Sequence, residues 1–120
     1  MIYKLLTTAE WELARAAGRY DGSEVDHRDG YVHLSGHDQV VETAARVFAG
    51  QAGLTLLTVD PERLGPRLRW EVSRGGALFP HLYAPLPVDA VLAARPVPEG
   101  VPVDEAVAAL VSADPGGDNR

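Results

Sequence analysis

Residues 68–83 read LRWEVSRGGALFPHLY, and this stretch decides the fold class. Two runs rich in β-forming residues, 68–73 and 77–83, flank the glycine-containing loop 74–76, which predicts a β-hairpin. A three-residue loop pairs Glu71 with Phe79 and Arg69 with His81. The polar face then carries Arg69, Glu71, Ser73, Phe79 and His81. The apolar face, which we expect to cover the core, carries Trp70, Val72, Leu78, Pro80 and Leu82.

The remaining segments alternate strands and helices before this hairpin. Strands are predicted over 2–6, 31–35 and 54–59, with an edge strand over 91–97, where Pro96 blocks a second partner. Helices are predicted from Thr7, which starts a capping box, and from Ser35, which Asp38 would cap; a terminal helix is predicted over 104–111. Residues 19–30 are expected to form a loop. The chain is therefore an α+β protein with a mixed or mostly antiparallel sheet and two main helices.

Length and composition limit the classes of protein that the chain can represent. It has 120 residues, of which 46% are hydrophobic and 23% charged, typical of one globular domain, which we place at 1–112 with a flexible tail at 113–120. It has no cysteine, which excludes disulfides and thiol chemistry. The net charge of −6 and the lack of a basic stripe argue against duplex nucleic acid as a partner. No signal peptide or membrane span is apparent, so a cytoplasmic location is expected.

Polar side chains from separate strands are candidates for one site. Strand alternation places Tyr31, His33 and Ser35 on one face of their strand, and the hairpin places Glu71 diagonally opposite His81. If the strands share a sheet, these groups and Tyr83 line one concave surface that offers a base, a carboxylate, hydroxyls and aromatic rings. A solvated sheet face with a Glu–His pair and no ligand explains the same pattern.

Several other sites are disfavoured. His27, His33 and His37 do not share one helix face, so no transition metal is predicted. A phosphate at the helix start after Ser35 would meet Asp38, whereas Arg74-Gly75-Gly76 leaves a weak phosphate site open. No GxSxG, P-loop or GxGxxG motif is present, which argues against a serine hydrolase.

Two motifs together carry a resemblance to a known family. Asp29-Gly30-Tyr31-Val32-His33-Leu34-Ser35, with Arg69-Trp70-Glu71 and Phe79-Pro80-His81-Leu82-Tyr83, resembles the domain of unknown function 952 family of small bacterial proteins. The similarity runs from Ile2 to about Val97 and includes Trp11, Tyr20 and Ser23. At fold level that family is similar to the ADP-ribosyltransferase-like group, which implies a split antiparallel sheet and a cleft for NAD or a related nucleotide.

The resemblance also implies roles for individual residues. His33, Glu71 and His81 are the expected catalytic residues: His33 would bind a ribose, and Glu71 would orient a hydroxyl or stabilise an oxocarbenium-like centre. The expected substrate-binding residues are Tyr20, Ser23, Tyr31, Ser35, Arg69, Arg74 and Tyr83. Tyr31 or Tyr83 would stack on a ring, and Arg69 or Arg74 would bind phosphate. The resemblance, together with the polar cluster, implies a nucleotide- or NAD-handling transferase, with a non-catalytic module that binds a small ligand or a protein as the alternative.

Overall fold

The structure, a computed structural model, describes residues 1–114. Four α-helices occur in this part of the chain: α1 (Thr8–Ala17), α2 (Glu24–Asp29), α3 (Val40–Val47) and α4 (Val103–Val111). The strands are β1 (Ile2–Thr7), β2 (Arg19–Tyr20), β3 (Val32–His33), β4 (Ser35–Gly36), β5 (Leu54–Val59), β6 (Leu68–Val72), β7 (Leu78–Leu82), β8 (Leu86–Pro87) and β9 (Val91–Pro96).

Three antiparallel sheets organise these strands. The largest has the order β4-β1-β5-β9, a second has the order β3-β7-β6, and β2 pairs with β8. Each described strand pair is antiparallel. The α+β class and the antiparallel, divided sheet are therefore confirmed, and β9 lies at an edge as predicted. The two main helices and the terminal helix that were predicted correspond to α1, α3 and α4, and the short helix α2 is additional.

The four-stranded sheet separates two hydrophobic cores, because alternate side chains of its central strands point to opposite faces. Ile2 and Leu6 of β1 belong to the core that includes Trp11 of α1. Tyr3 and Leu5 belong to the core beneath α3 and α4. Lys4, the only lysine of the chain, lies between Ile2 and Leu6 on the first face. A charged side chain thus enters an otherwise apolar layer.

Local capping chemistry was predicted correctly for α1 and incorrectly for α3. Thr7 and Glu10 form the expected capping box. Ser35 instead pairs with Tyr3 in β4, and α3 begins at Val40 after Gln39, whose side chain accepts a hydrogen bond from the Gly36 amide. Tertiary strand pairing has taken precedence over the Ser35–Asp38 cap.

The segment 19–30 was predicted as a loop, and this is wrong. Arg19 and Tyr20 form β2, and Ser23 with Asp26 forms a second capping box that starts α2. Gly22 and Gly30, which suggested turns, flank the short helix. Both have positive φ angles, of 109° and 89°.

The hairpin has the predicted register, with Glu71 opposite Phe79 and Arg69 opposite His81. The prediction that its apolar face covers the core is wrong in its outer half. Trp70, Val72 and Leu78 are 48%, 69% and 51% exposed, whereas Phe79 and His81 are buried. Phe79 and His81 line a pocket with residues of β1 and α2, and on the apolar face only Pro80 and Leu82 are buried.

The carboxyl end of the described chain is attached to the four-stranded sheet. Asp114 accepts a hydrogen bond of 2.6 Å from the hydroxyl of fully buried Tyr3 and forms an ion pair of 2.9 Å with Arg95. Asp114 belongs to the predicted tail 113–120, of which residues 115–120 lie outside the described part. Within the described residues, no helix is long and apolar enough to cross a bilayer.

Candidate functional site

A pocket of about 350 Å³ lies where the two larger sheets meet. Strand β4 covers β1 only at Ile2 and Tyr3, so the edge of β1 from Lys4 onward borders this space. The other walls come from α2, α3 and the hairpin. Half of the lining residues are aliphatic or carry a Tyr or Phe ring, and the polar groups converge from different elements, which is typical of a small-molecule site.

The floor of the pocket contains a buried ion pair between Lys4 and Asp26. The Lys4 ammonium lies 3.3 Å from Asp26 Oδ2 and donates to the His33 carbonyl at 2.9 Å. Burial lowers the pKa of Lys4, although the Asp26 carboxylate opposes this shift. Burial by itself raises the pKa of Asp26, but hydrogen bonds from His33 and the Lys4 charge outweigh it, so this pKa lies well below its usual range.

Asp26 also fixes His33. Its Oδ1 lies 2.6 Å from His33 Nδ1 and accepts from the His33 backbone amide at 3.1 Å. The other ring nitrogen, Nε2, lies 2.9 Å from Asp29 Oδ2. Both ring nitrogens of His33 are therefore engaged by carboxylates.

His81 is the second imidazole at the pocket, and its environment differs from that of His33. Its Nδ1 lies 2.8 Å from Glu71 Oε1, which leaves Nε2 available to a ligand. His81 is only 3% exposed and faces His33, with ring centroids 5.9 Å apart. Nδ1 donates to the carboxylate when His81 is neutral, which makes Nε2 an acceptor.

An outer cluster of Tyr31, Arg69, Glu71 and Tyr83 supports His81 without lining the pocket. Tyr31 stacks on His81 at 4.0 Å between centroids, and the Arg69 guanidinium lies 5.6 Å from the Tyr83 ring centroid. The Tyr83 hydroxyl donates to Glu71 Oε1 at 2.7 Å. This bond and the one from His81 lower the pKa of Glu71. The cluster thus holds an ionised Glu71 against His81.

Arg74 supplies a cation to the opposite wall. One terminal nitrogen donates to the Thr43 hydroxyl at 3.0 Å, and the guanidinium lies 5.0 Å from the Phe79 ring centroid. Its Nε is buried without a hydrogen-bond partner. Among the described residues, no carboxylate lies within salt-bridge distance of Arg74. A ligand anion would therefore meet an uncompensated positive charge.

The pocket wall contains a further polar group without a hydrogen-bond partner among the described residues, the hydroxyl of Tyr20. The Tyr20 hydroxyl is buried and makes no hydrogen bond to a described residue. Burial raises its pKa, and the charges of Asp26 and Glu10 add to this effect, so Tyr20 is a neutral donor. Ser23 and Ser35 also line the pocket, but their hydroxyls already bond to the Asp26 amide and to Thr43.

The structure divides the predicted site residues into two sets. Those that line the pocket are Tyr20, Ser23, His33, Ser35, Arg74 and His81. Tyr31, Arg69, Glu71 and Tyr83 form the outer cluster. Glu71 therefore lies behind His81 and outside the pocket, and Tyr31 stacks on His81.

Lys4, Asp26 and Asp29 were missed by the sequence reasoning. A lone charge inside the apolar strand 2–6 was a usable signal for Lys4, since a buried charge needs a partner. The Ser-x-x-Asp spacing of a capping box marked Asp26. Nothing in the sequence showed that these two elements meet.

A second depression and the arrangement of possible metal ligands are weaker candidates for a functional site. A depression of about 450 Å³ lies between 50–54 and 97–103, but Glu99 is the one ionisable group in its lining. The Glu99 carboxylate already accepts from the Gly53 amide. Across residues 1–114, no group of three His, Asp or Glu side chains is arranged to hold a metal ion.

Comparison with known proteins assigns the chain to a family. The model of the family described as protein of unknown function DUF952 matches residues 5–94. The chain belongs to this family. DUF952 is also the family that the two sequence motifs resemble, so that prediction is confirmed. No curated protein matches the chain.

Solved structures of one relative support the fold. Protein CC0527 from Caulobacter crescentus has a crystal structure that is 51% identical, with a TM-score of 0.80 over 88% of this chain and 97% of that one. Its solution NMR structure is 55% identical, with a TM-score of 0.73 over 80% and 83%. These DUF952 relatives add no support for an ADP-ribosyltransferase-like fold.

Proposed function

We propose that this DUF952 protein is a transferase that acts on a small anionic substrate of nucleotide type. The observation that carries the proposal is the pair of imidazoles, each oriented by a carboxylate, that border one pocket with an uncompensated Arg74. Two imidazoles oriented by carboxylates at one cavity are suited to general acid–base catalysis.

In this proposal the two histidines have opposite tasks. His81 Nε2 accepts the proton of an attacking hydroxyl as the new bond to the transferred group forms. The leaving group departs with the bonding electron pair and takes a proton from His33 Nε2, which gives up its contact with Asp29. Glu71 is a positioning residue that holds the donor nitrogen of His81 and stabilises the imidazolium.

The dimensions of the pocket restrict the substrate. A volume of about 350 Å³ is near the lower end of the ~300–1,000 Å³ usual for ligand sites. It accommodates one ring and one charged group, with Arg74 as the anion ligand. NAD would therefore bind with only part of its length enclosed.

The cytoplasmic location of the protein remains a prediction of the sequence.

Binding and turnover of candidate ligands test the proposal. NAD, ADP-ribose and 2′-phosphorylated ribonucleotides are each titrated by calorimetry and then incubated with an acceptor alcohol, with products separated by chromatography. His81→Asn should lower turnover by roughly 10²–10⁴-fold. His27→Asn is the matched control, because His27 bonds only to the Asp21 carbonyl on the surface. Failure of every ligand to bind, or normal turnover by His81→Asn, contradicts the proposal.

A non-catalytic ligand-binding module is the second candidate. It is favoured by one observation: both ring nitrogens of His33 already bond to carboxylates, which leaves none free for proton transfer. Under this alternative, a ligand binds with an affinity that depends on Arg74, and neither wild type nor variant yields product. Turnover decides between the two functions.

A further inference from the structure

The outer strand of the hairpin, β6, has an unpaired edge. In the order β3-β7-β6, only β7 pairs with it within residues 1–114. The ladder bonds show which groups face outward: the Ser73 amide donates to Ala77 and the Tyr83 amide to Arg67, so odd-numbered residues bond to β7. The backbone groups of Trp70 and Val72 therefore point away from the sheet. An exposed edge of this kind is a template for another strand.

The side chains beside this edge are apolar on one face. Trp70, Val72 and Leu78 are about half or more exposed, and Val72 lies directly opposite Leu78 in the hairpin. The edge strand β9 of the four-stranded sheet has a single exposed large apolar residue, Leu92. A contiguous apolar patch at an open strand edge is typical of an association surface.

The sequence of β6 is complementary to itself when reversed. It reads Leu68-Arg69-Trp70-Glu71-Val72, so an antiparallel copy centred on Trp70 places Arg69 opposite Glu71. A two-fold axis at this position makes the pairing symmetric and preserves the faces of both sheets. Arg69 and Glu71 then occupy non-hydrogen-bonded pairs, in which side chains approach most closely.

Backbone pairing fits the same register. Trp70 would exchange two hydrogen bonds with its symmetry mate, and each Val72 amide would donate to the Leu68 carbonyl of the other copy. The Leu68 amide is already used, since it donates to the Gly65 carbonyl. Four intermolecular backbone hydrogen bonds result, and they join the two hairpins into one six-stranded sheet.

Pairing of β6 with a second copy would also complete the hydrogen bonds of the outer cluster. His81 and Tyr83 both bond to Oε1 of Glu71, so Oε2 has no hydrogen bond to a described residue. Arg69 is exposed, its guanidinium lies 5.6 Å from the Tyr83 ring centroid, and within residues 1–114 its side chain makes no hydrogen bond or salt bridge. Across the two-fold axis, Arg69 of the partner subunit would reach Oε2 and help to hold the carboxylate that positions His81.

We propose that the protein is a homodimer formed by antiparallel pairing of β6 with β6 of a second copy, with reciprocal Arg69–Glu71 ion pairs. The occupant is another copy of this chain because both the charge order and the backbone register are self-complementary. This inference does not depend on the proposed function, since it concerns the edge of the hairpin and not the pocket.

Charge reversal tests the pairing by analytical ultracentrifugation of the full chain. Wild type should sediment as a dimer. Arg69→Glu and Glu71→Arg should each weaken the dimer at least about tenfold, because like charges then face each other. An equimolar mixture of the two variants should dimerise again, since the two acidic side chains on β6 of one variant then face the two basic side chains on β6 of the other.

Two further variants keep the test valid if Glu71→Arg does not fold. Trp70→Lys should give a monomer, whereas Leu92→Lys, on the edge strand β9, should remain dimeric. A wild-type chain that is monomeric up to about 1 mM overturns the proposal. So does a mixture of folded Arg69→Glu and Glu71→Arg that fails to associate, or a Leu92→Lys variant that dissociates as readily as Trp70→Lys.

Discussion

A single carboxylate oxygen of Asp26 holds both the backbone and the ring of His33, at 3.1 and 2.6 Å. The second oxygen accepts from the Ser23 amide at 2.9 Å and faces Lys4. Asp26 is 2% exposed and has no lone pair left for a ligand. It therefore connects α2, β1 and β3, and it determines where His33 lies in the pocket.

Replacement of Asp26 by Asn should lower the free energy of unfolding by about 3–5 kcal/mol at neutral pH, because the Lys4 ammonium is left buried without a counterion. Urea unfolding measures this loss. Asp21→Asn, on the exposed surface, should change stability by less than about 1 kcal/mol. An equally small loss for Asp26→Asn would show that the Lys4–Asp26 pair is not a major stabilising contact.

The contribution of Asp26 to the stability of the protein should decrease at low pH. Its pKa is depressed in the folded state, so its contribution is complete above its unfolded pKa of about 3.9 and is lost as the pH falls towards the folded value. The difference in stability between wild type and Asp26→Asn should therefore narrow below about pH 4. In the double variant Lys4→Met/Asp26→Asn, the loss should be smaller than the sum of the single losses.

Arg74→Met should weaken binding of an anionic ligand by about 10–100-fold, because it removes a charge-assisted hydrogen bond inside the pocket. Arg15→Met is the matched control, since Arg15 is exposed on α1 and lies outside the pocket. Calorimetric titration of both variants with the same nucleotide measures the difference. Equal affinities would place the anion elsewhere.

Tyr20→Phe should raise the stability of the unliganded protein by about 1 kcal/mol, since it removes a buried hydroxyl that has no partner. The same change should weaken a ligand that accepts from this hydroxyl by up to about tenfold. Tyr83→Phe should have the opposite effect on stability, because its hydroxyl bonds to Glu71. Thermal unfolding with and without ligand distinguishes the two variants, and a destabilised Tyr20→Phe contradicts the expectation.

Asp114→Ala should lower stability by about 1–3 kcal/mol, because it leaves the Tyr3 hydroxyl buried without its acceptor and Arg95 without its carboxylate. Glu105→Ala, exposed on α4, should change stability little. Chemical denaturation of both variants provides the comparison. A negligible change for Asp114→Ala would mean that the contact with Tyr3 contributes little in solution.

Local features were predictable from the sequence, and features that depend on distant contacts were not. The hairpin register follows from loop length and strand alternation, both of which lie within 68–83. Its covered face depends on where β1 and α2 pack, so the assignment of Trp70 and Val72 to the core failed. The prediction of the α1 cap was correct for the same local reason. Ser35 pairs with Tyr3 in a strand and does not cap a helix.

The same difference between local features and distant contacts applies to the prediction of the candidate site. Strand alternation suggested that His33 and His81 share a surface, and the structure places their rings 5.9 Å apart. The residues that fix His33 come from α2, in a segment whose glycines suggested a loop. Lys4 was separated from Asp26 by 22 positions, and no periodic pattern links a strand residue to a helix residue over that distance.

The chain from Val32 to Gly36 belongs to two sheets: Val32 and His33 pair with β7, and Ser35 and Gly36 pair with β1. Leu34 between them donates its amide to the Pro80 carbonyl. Neither sheet can separate from the other without breaking backbone bonds of these five residues. Amide hydrogen exchange along this segment should therefore report the cooperativity of the whole molecule, and a ligand seated against it would slow the unfolding of both halves together.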